Sequence, residues 1–154
     1  MTAERSAVHA SFTIERRYDA PQALVFGAWA DPAAKARWFG GGTEWQPIRR
    51  EQDFRVGGRE HASGRWATGV ATAFDALYHD IQSDRRIVYS YDMHLDGKHI
   101  SVSLATVEFL ADGAGTLLVF TEQVANLDGF SDPDARGREQ GTRGLLDRLE
   151  QALR

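Results

Sequence analysis

Glu122 is the residue in this chain best placed by its neighbours to do chemistry. Leu118, Phe120 and Glu122 share one face of an alternating run, and Leu117, Val119 and Thr121 share the other. If the first face turns inward, a carboxylate ends an apolar row. Such a group is either paired or raised in pKa by loss of water. If the strand end turns toward solvent, Glu122 instead forms a rim salt bridge with one of the C-terminal arginines. Upstream, Tyr89, Tyr91 and Met93 repeat at the same two-residue step. Two phenols and a thioether in a row suit the wall of a pocket for an apolar molecule with a few polar handles, and they suit ordinary core as well. Trp38, Trp66 and Phe130 are candidates for the mouth of that pocket.

Other chemistries leave little trace. His94 and His99 bracket Leu95-Asp96-Gly97-Lys98, and a two-residue turn would set them opposite each other across a hairpin. Zinc would need a third protein ligand, and none is evident, so no metal is expected. There are no cysteines, which removes disulfides, thiolate metal sites and a cysteine nucleophile. No HExxH pair, EF-hand loop, Walker loop, G-x-G-x-x-G or G-x-S-x-G elbow is present. Gly57-Gly58 links strands and reads as a turn. No cofactor is implied, and an enzyme would have to work through Glu122 as general acid or base.

The elements that must position these residues follow from periodicity. From Asp134 to Arg154, Leu145, Leu146, Leu149, Ala152 and Leu153 recur at helical spacing, behind cap candidates in Ser131-Asp132-Pro133. Gly137, Gly141 and Gly144 fall beside that leucine stripe. Each costs a helix interior about 1 kcal/mol relative to alanine. Either they form a loose helix entry, or they keep one helix edge low and leave room for a ligand against Gly141 and Leu145.

At the other end, residues 1–10 read as a flexible tail, followed by one domain over residues 11–154. Phe12, Ile14 and Tyr18 alternate as a strand. A helix follows Ala20-Pro21 with Leu24, Val25, Ala28 and Trp29 on one face, and Asp31-Pro32 caps a second that closes at Trp38-Phe39. Residues 43–124 read as strand and turn, with the charged stretch from Glu44 to Phe54 near an edge. Ile100, Val102 and Leu104 have the opposite parity to Val107 and Phe109, which predicts a bulge near Ala105-Thr106. Val88, Leu117 and Val119 would lie on the far face of the sheet, a strip suited to a homodimer.

The order of strand, two helices, antiparallel meander and long helix resembles the helix-grip fold of the START-like (SRPBCC) superfamily. Asp31-Pro32, Arg37-Trp38-Phe39 and Arg55-Val56-Gly57-Gly58-Arg59-Glu60 are similar to the branch of homologues of the activator of heat-shock protein 90 ATPase. Arg86 to Met93, Thr121-Glu122-Gln123 and Arg138-Glu139 with Gly141-Thr142 resemble a bacterial subgroup of unassigned function. Many relatives carry a histidine where Glu122 stands and a Gly-Trp pair where this chain has Gly141-Thr142. The resemblance implies an α+β fold, a curved antiparallel sheet wrapped around the C-terminal helix. It also implies binding of a small, largely hydrophobic or amphipathic molecule between them.

The alternatives it carries are a cyclase- or hydrolase-like enzyme using Glu122 and stimulation of a chaperone ATPase. The eukaryotic activators have an additional N-terminal domain that engages the chaperone. These 154 residues leave no room for one, so a chaperone partner is not expected. A net charge of −4 argues against a nucleic-acid partner. No apolar run approaches the roughly 20 residues that cross a bilayer. No membrane partner is therefore expected, and a cytoplasmic location is the default.

Overall fold

The computed structural model describes residues 6–128 and 136–154, the side chain of Arg136 excepted. In chain order the elements are β1 (Ala7–Tyr18), α1 (Gln22–Ala30), α2 (Pro32–Ala36), a 3-10 turn (Gly42–Glu44), β2 (Trp45–Gln52), β3 (Arg59–Trp66), β4 (Ala71–Gln82), β5 (Arg86–Leu95), β6 (Lys98–Asp112), β7 (Gly115–Leu127) and α3 (Arg136–Ala152). The strands form one antiparallel sheet in the order β1-β7-β6-β5-β4-β3-β2. The first strand therefore pairs with the last, and the charged strand β2 takes the opposite edge. This is the expected helix-grip α+β fold, a curved sheet closed over by the C-terminal helix.

The leucine stripe holds α3 to the sheet. Leu146 and Leu149 are fully buried, and Leu145, Ala152 and Leu153 pack against the same core. Each buried leucine contributes about 1.5–3 kcal/mol relative to exposure. Tyr18 Oη on β1 donates to the Leu146 carbonyl at 2.9 Å, which fixes the helix at its leucine end. The glycine end is left to be held by other means.

The two short helices plug the other end of the sheet. Val25, Phe26, Ala28 and Trp29 of α1 are buried, while Leu24, expected on the inward face, is 52% exposed. The helix packs on the sheet through Phe26, whose ring lies 5.3 Å from that of Phe109, so its buried arc is rotated away from Leu24. Asp31 caps α2 by accepting from Ala33 N–H at 3.3 Å, as its sequence position predicts. One turn later Lys35 is buried and donates to Glu60 at 2.6 Å. Tyr78 Oη also donates to Glu60, and Gln52 donates to Tyr78 Oη at 3.0 Å. Burial pulls the Lys35 pKa down, against the pull of Glu60.

Two expectations need correction. Residues 7–10, assigned to the tail, belong to β1, where Ala7–Ala10 pair with Val124–Leu127. There is no bulge at Ala105-Thr106, because β6 runs in unbroken register with β7 from Ser101 to Asp112. Its inward row is Ser101, Ser103, Ala105, Val107 and Phe109, while Val102 and Leu104 face outward at 40% and 39% exposure. The irregularity lies beside the hairpin, between Met93 and His94, where Ile100 is passed over in the pairing. Asp96 and Gly97 make the turn with φ of 49° and 81°, the left-handed values that an Asp-Gly turn accepts. Val88, Leu117 and Val119 are half-buried on the outer face. No described helix is long and apolar enough to cross a membrane.

Candidate functional site

Alternation along the central strands aims one row of side chains at α3. β5 supplies Tyr89, Tyr91 and Met93, and β7 supplies Phe120 and Glu122. Between these rows and the glycine edge of α3 lies a cavity of about 610 Å³. Trp66, Tyr89, Tyr91, Met93, Phe120, Glu122, Gly141 and Leu145 all line it, as do Gly137 and Gly144. Trp38 does not. Its indole is buried beyond the cavity wall, donating to the Ala28 carbonyl at 3.0 Å and packed edge-on against Trp29. The adjacent Phe39 takes the wall position instead. Phe130 lies outside the described residues, as do Ser131, Asp132 and Pro133, the cap candidates of α3.

The low helix edge is real space. A Cβ built at Gly141 meets nothing within 4 Å, and one at Gly144 meets only Arg148 Nη1 at 3.6 Å. On the facing wall the glycines have the opposite purpose. A Cβ at Gly41 would fall 2.3 Å from Trp45 Cβ, and one at Gly64 would fall 2.1 Å from the Trp45 ring. Those glycines admit Trp45 to the wall, where its Nε1 donates to Thr72 Oγ1 at 2.9 Å.

One end of the cavity is polar, and four elements build it. Glu122 is fully buried. Its Oε2 accepts from Tyr91 Oη at 2.7 Å and from Ser103 Oγ at 2.8 Å. Arg138 of α3 reaches in from the helix, with Nη1 3.5 Å from the same oxygen. That guanidinium also donates to Tyr91 Oη at 2.9 Å, to Ser103 Oγ at 3.4 Å and to Ser101 Oγ at 2.8 Å. Arg138 is thus the tie that holds the glycine half of α3 over the sheet. Desolvation pushes the Glu122 carboxyl up from its ordinary pKa, and Arg138, Tyr91 and Ser103 oppose that rise. The Tyr91 hydroxyl is pushed up by burial and then by the Glu122 charge, so at neutral pH it is a donor.

Residues 19–154 match the family described as Activator of Hsp90 ATPase homolog 1-like protein. The chain belongs to that family. Its fold is shared by an uncharacterised protein of Rhizobium leguminosarum, 47% identical over 98% of both chains with a TM-score of 0.91. The Mll3558 protein of Rhizobium loti is 42% identical, covering 96% of this chain and 99% of the other, with a TM-score of 0.86. An AHSA1-like protein of Aeromonas hydrophila, 20% identical over 94% of this chain and 92% of its own with a TM-score of 0.69, shares the fold alone. No curated protein matches the sequence.

Within this AHSA1-like frame, several site residues escaped the sequence reading. Phe39, Trp45 and Phe74 line the apolar wall, and Ser101, Ser103 and Arg138 complete the polar end. The constant parity of Ser101, Ser103, Ala105, Val107 and Phe109 could have revealed the serines, had the outward Val102 and Leu104 not suggested a bulge. Arg138 precedes Gly141 by three residues, close enough on a helix to share its face. The paired histidines do meet, with rings stacked 4.8 Å apart and His99 Nε2 2.8 Å from Asp92. Among the described residues, no group of three or more histidine, aspartate or glutamate side chains could hold a metal ion.

Proposed function

We propose that this domain binds a small, largely apolar molecule in the cavity between its sheet and α3. Membership of a START-like family supports a ligand-binding domain in general terms. The observation that carries the specific reading is the cavity itself. It offers about 610 Å³ within the 300–1,000 Å³ range usual for small-molecule pockets, walled by aromatic and aliphatic side chains. Glu122 and Arg138 form a buried polar end, where such groups fix orientation more than they add affinity. Thr72 and Arg148 also line the cavity but are engaged with Trp45 and with the Trp38 carbonyl. Protein purified from its own cell and examined by native mass spectrometry should carry a bound small molecule. Nile red, a neutral dye, should bind saturably with one site, quenching Trp45 and Trp66 in the wall. Absence of both a retained molecule and saturable uptake would refute the reading.

A second reading, catalysis, is favoured by one observation. Glu122 is a desolvated carboxyl with a raised pKa, a property that suits a general acid or base. Turnover of a retained molecule, lost in Glu122→Gln while binding persists, would decide for the enzyme. Reversible binding without turnover would decide for a carrier.

A further inference from the structure

We propose that the cavity selects a molecule with an uncharged hydroxyl head, seated on Oε1 of Glu122, and an apolar remainder. This rests on the reading that the cavity holds a ligand, and it adds what that ligand must present. The two carboxylate oxygens are treated unequally. Oε2 takes Tyr91, Ser103 and the ion pair with Arg138. Oε1 is buried and accepts no hydrogen bond from the described residues. A buried acceptor left unpaired costs free energy, so native structures almost always pair one.

The donors gathered around the carboxylate are directed elsewhere. Arg138 gives Nη1 to Tyr91 and Ser103 and Nη2 to Ser101, Tyr91 and Ser103 each donate to Oε2, and none of these bonds reaches Oε1. Glu122 itself lines the cavity, so a donor for Oε1 is expected from that side.

Charge then narrows the head group. A carboxylate would meet the buried Glu122 charge. An ammonium on Oε1 would sit close to a guanidinium that is 3.5 Å from the neighbouring oxygen. An ether or ketone sets acceptor against acceptor when Glu122 is ionised. A hydroxyl donates to the ionised carboxylate and can also accept from the protonated acid, so it suits both states. The remaining body of the ligand would lie against Phe120, Met93 and Phe74.

The test uses three probes that share one ring system: 2-naphthol, 2-methoxynaphthalene and 2-naphthoate. Each is titrated calorimetrically into the wild-type protein at a pH where carboxyl-carbon NMR shows Glu122 ionised. The expected result is binding of 2-naphthol at least tenfold tighter than either of the others. Glu122→Gln keeps an oxygen for Tyr91 and Ser103 and turns an N–H toward the head group, which a hydroxyl and an ether oxygen can both accept, so 2-naphthol should lose its advantage over 2-methoxynaphthalene. If that variant does not fold, the wild-type series alone decides. Equal affinity for the hydroxyl and methoxy probes would overturn the assignment, since something other than ligand then satisfies Oε1. Tightest binding of 2-naphthoate would overturn it in favour of an anion held by Arg138. Uptake of Nile red with none of the three probes bound sinks the head-group assignment and leaves the cavity reading standing. Loss of the dye as well sinks both.

Discussion

Gly141→Leu separates a true cavity from loosely drawn core. A glycine inside a helix costs about 0.8–1 kcal/mol relative to residues such as alanine or leucine, so propensity alone favours the variant. Steric cost is the deciding quantity, and at this position it is small. The added Cβ meets no atom within 4 Å, and the residue borders the cavity one turn before Leu145. The variant should therefore gain about 0.5–1 kcal/mol, which for a domain of this length raises Tm by about 1–4 °C. If the helix edge were close-packed, the same change would cost about 1–3 kcal/mol and lower Tm by about 2–12 °C.

Ligand uptake should move the other way. A leucine side chain at this edge would deny a bound molecule on the order of 50 Å² of apolar contact, worth about 1.3 kcal/mol at about 25 cal/mol per Å². That corresponds to about a tenfold loss of affinity. Thermal melts and Nile red titration of wild type and variant measure both effects. Retained or raised Tm with weakened uptake supports the cavity at this edge. A fall in Tm means the glycine is there for close packing. Retained or raised Tm with unchanged uptake means that position 141 faces solvent. Either of the last two results refutes the reasoning.

Three further outcomes are expected. Arg138→Met removes the partner of a buried carboxylate, a change that costs about 3–5 kcal/mol when the pair is fully buried. The Arg138 side chain is 20% exposed and the pair is 3.5 Å apart, so the cost should lie nearer 2–3 kcal/mol, lowering Tm by about 4–12 °C. Glu122→Gln in the same chain should recover at least about 1 kcal/mol of it in a double-mutant cycle, and strict additivity would show that the two groups do not interact. Carboxyl-carbon NMR should place the Glu122 pKa above the unfolded value of about 4.3. Between those two values the native state keeps a proton that the unfolded state has lost, so stability falls as pH rises through the window. Glu122→Gln should flatten that slope, and an unperturbed pKa would remove Glu122 from the buried site. Lys35→Met strands Glu60 in the core and should cost about 3–5 kcal/mol, partly recovered by adding Glu60→Gln; denaturant midpoints with unchanged slopes would measure both.

What the sequence disclosed, and what it withheld, divides along a physical line. Elements with a clear period and one buried face were legible. The leucine stripe of α3, the β5 row and the Asp-Gly hairpin all lie where their spacing puts them, and the three glycines of α3 do border the cavity. Glu122 turns inward, and of the alternative solvent-side rim salt bridge only the helix arginine survives, because that arginine reaches inside. Periodicity places a residue on a face and says nothing of which distant side chain meets it there. Trp38 and Phe39 show the same limit, since a helix end can turn either neighbour toward the cavity, and the Ala28 carbonyl that claims the Trp38 indole is a tertiary accident of the fold.

The error on β6 is the more instructive one. Reading hydrophobicity as burial put Val102 and Leu104 inside and called for a bulge to bring Val107 and Phe109 back into line. The strand instead keeps its register and turns Ser101 and Ser103 inward. A one-residue slip exchanges the two faces of a strand entirely, so the native register accepts two exposed aliphatic residues in order to bury two hydroxyls. Burying hydroxyls is costly unless they are hydrogen-bonded, and these two are bonded to Arg138 and Glu122. The position at which the hydrophobic pattern fails is therefore the position at which the polar end of the cavity is built. A local rule broken and compensated in this way marks a functional site better than any single residue type does.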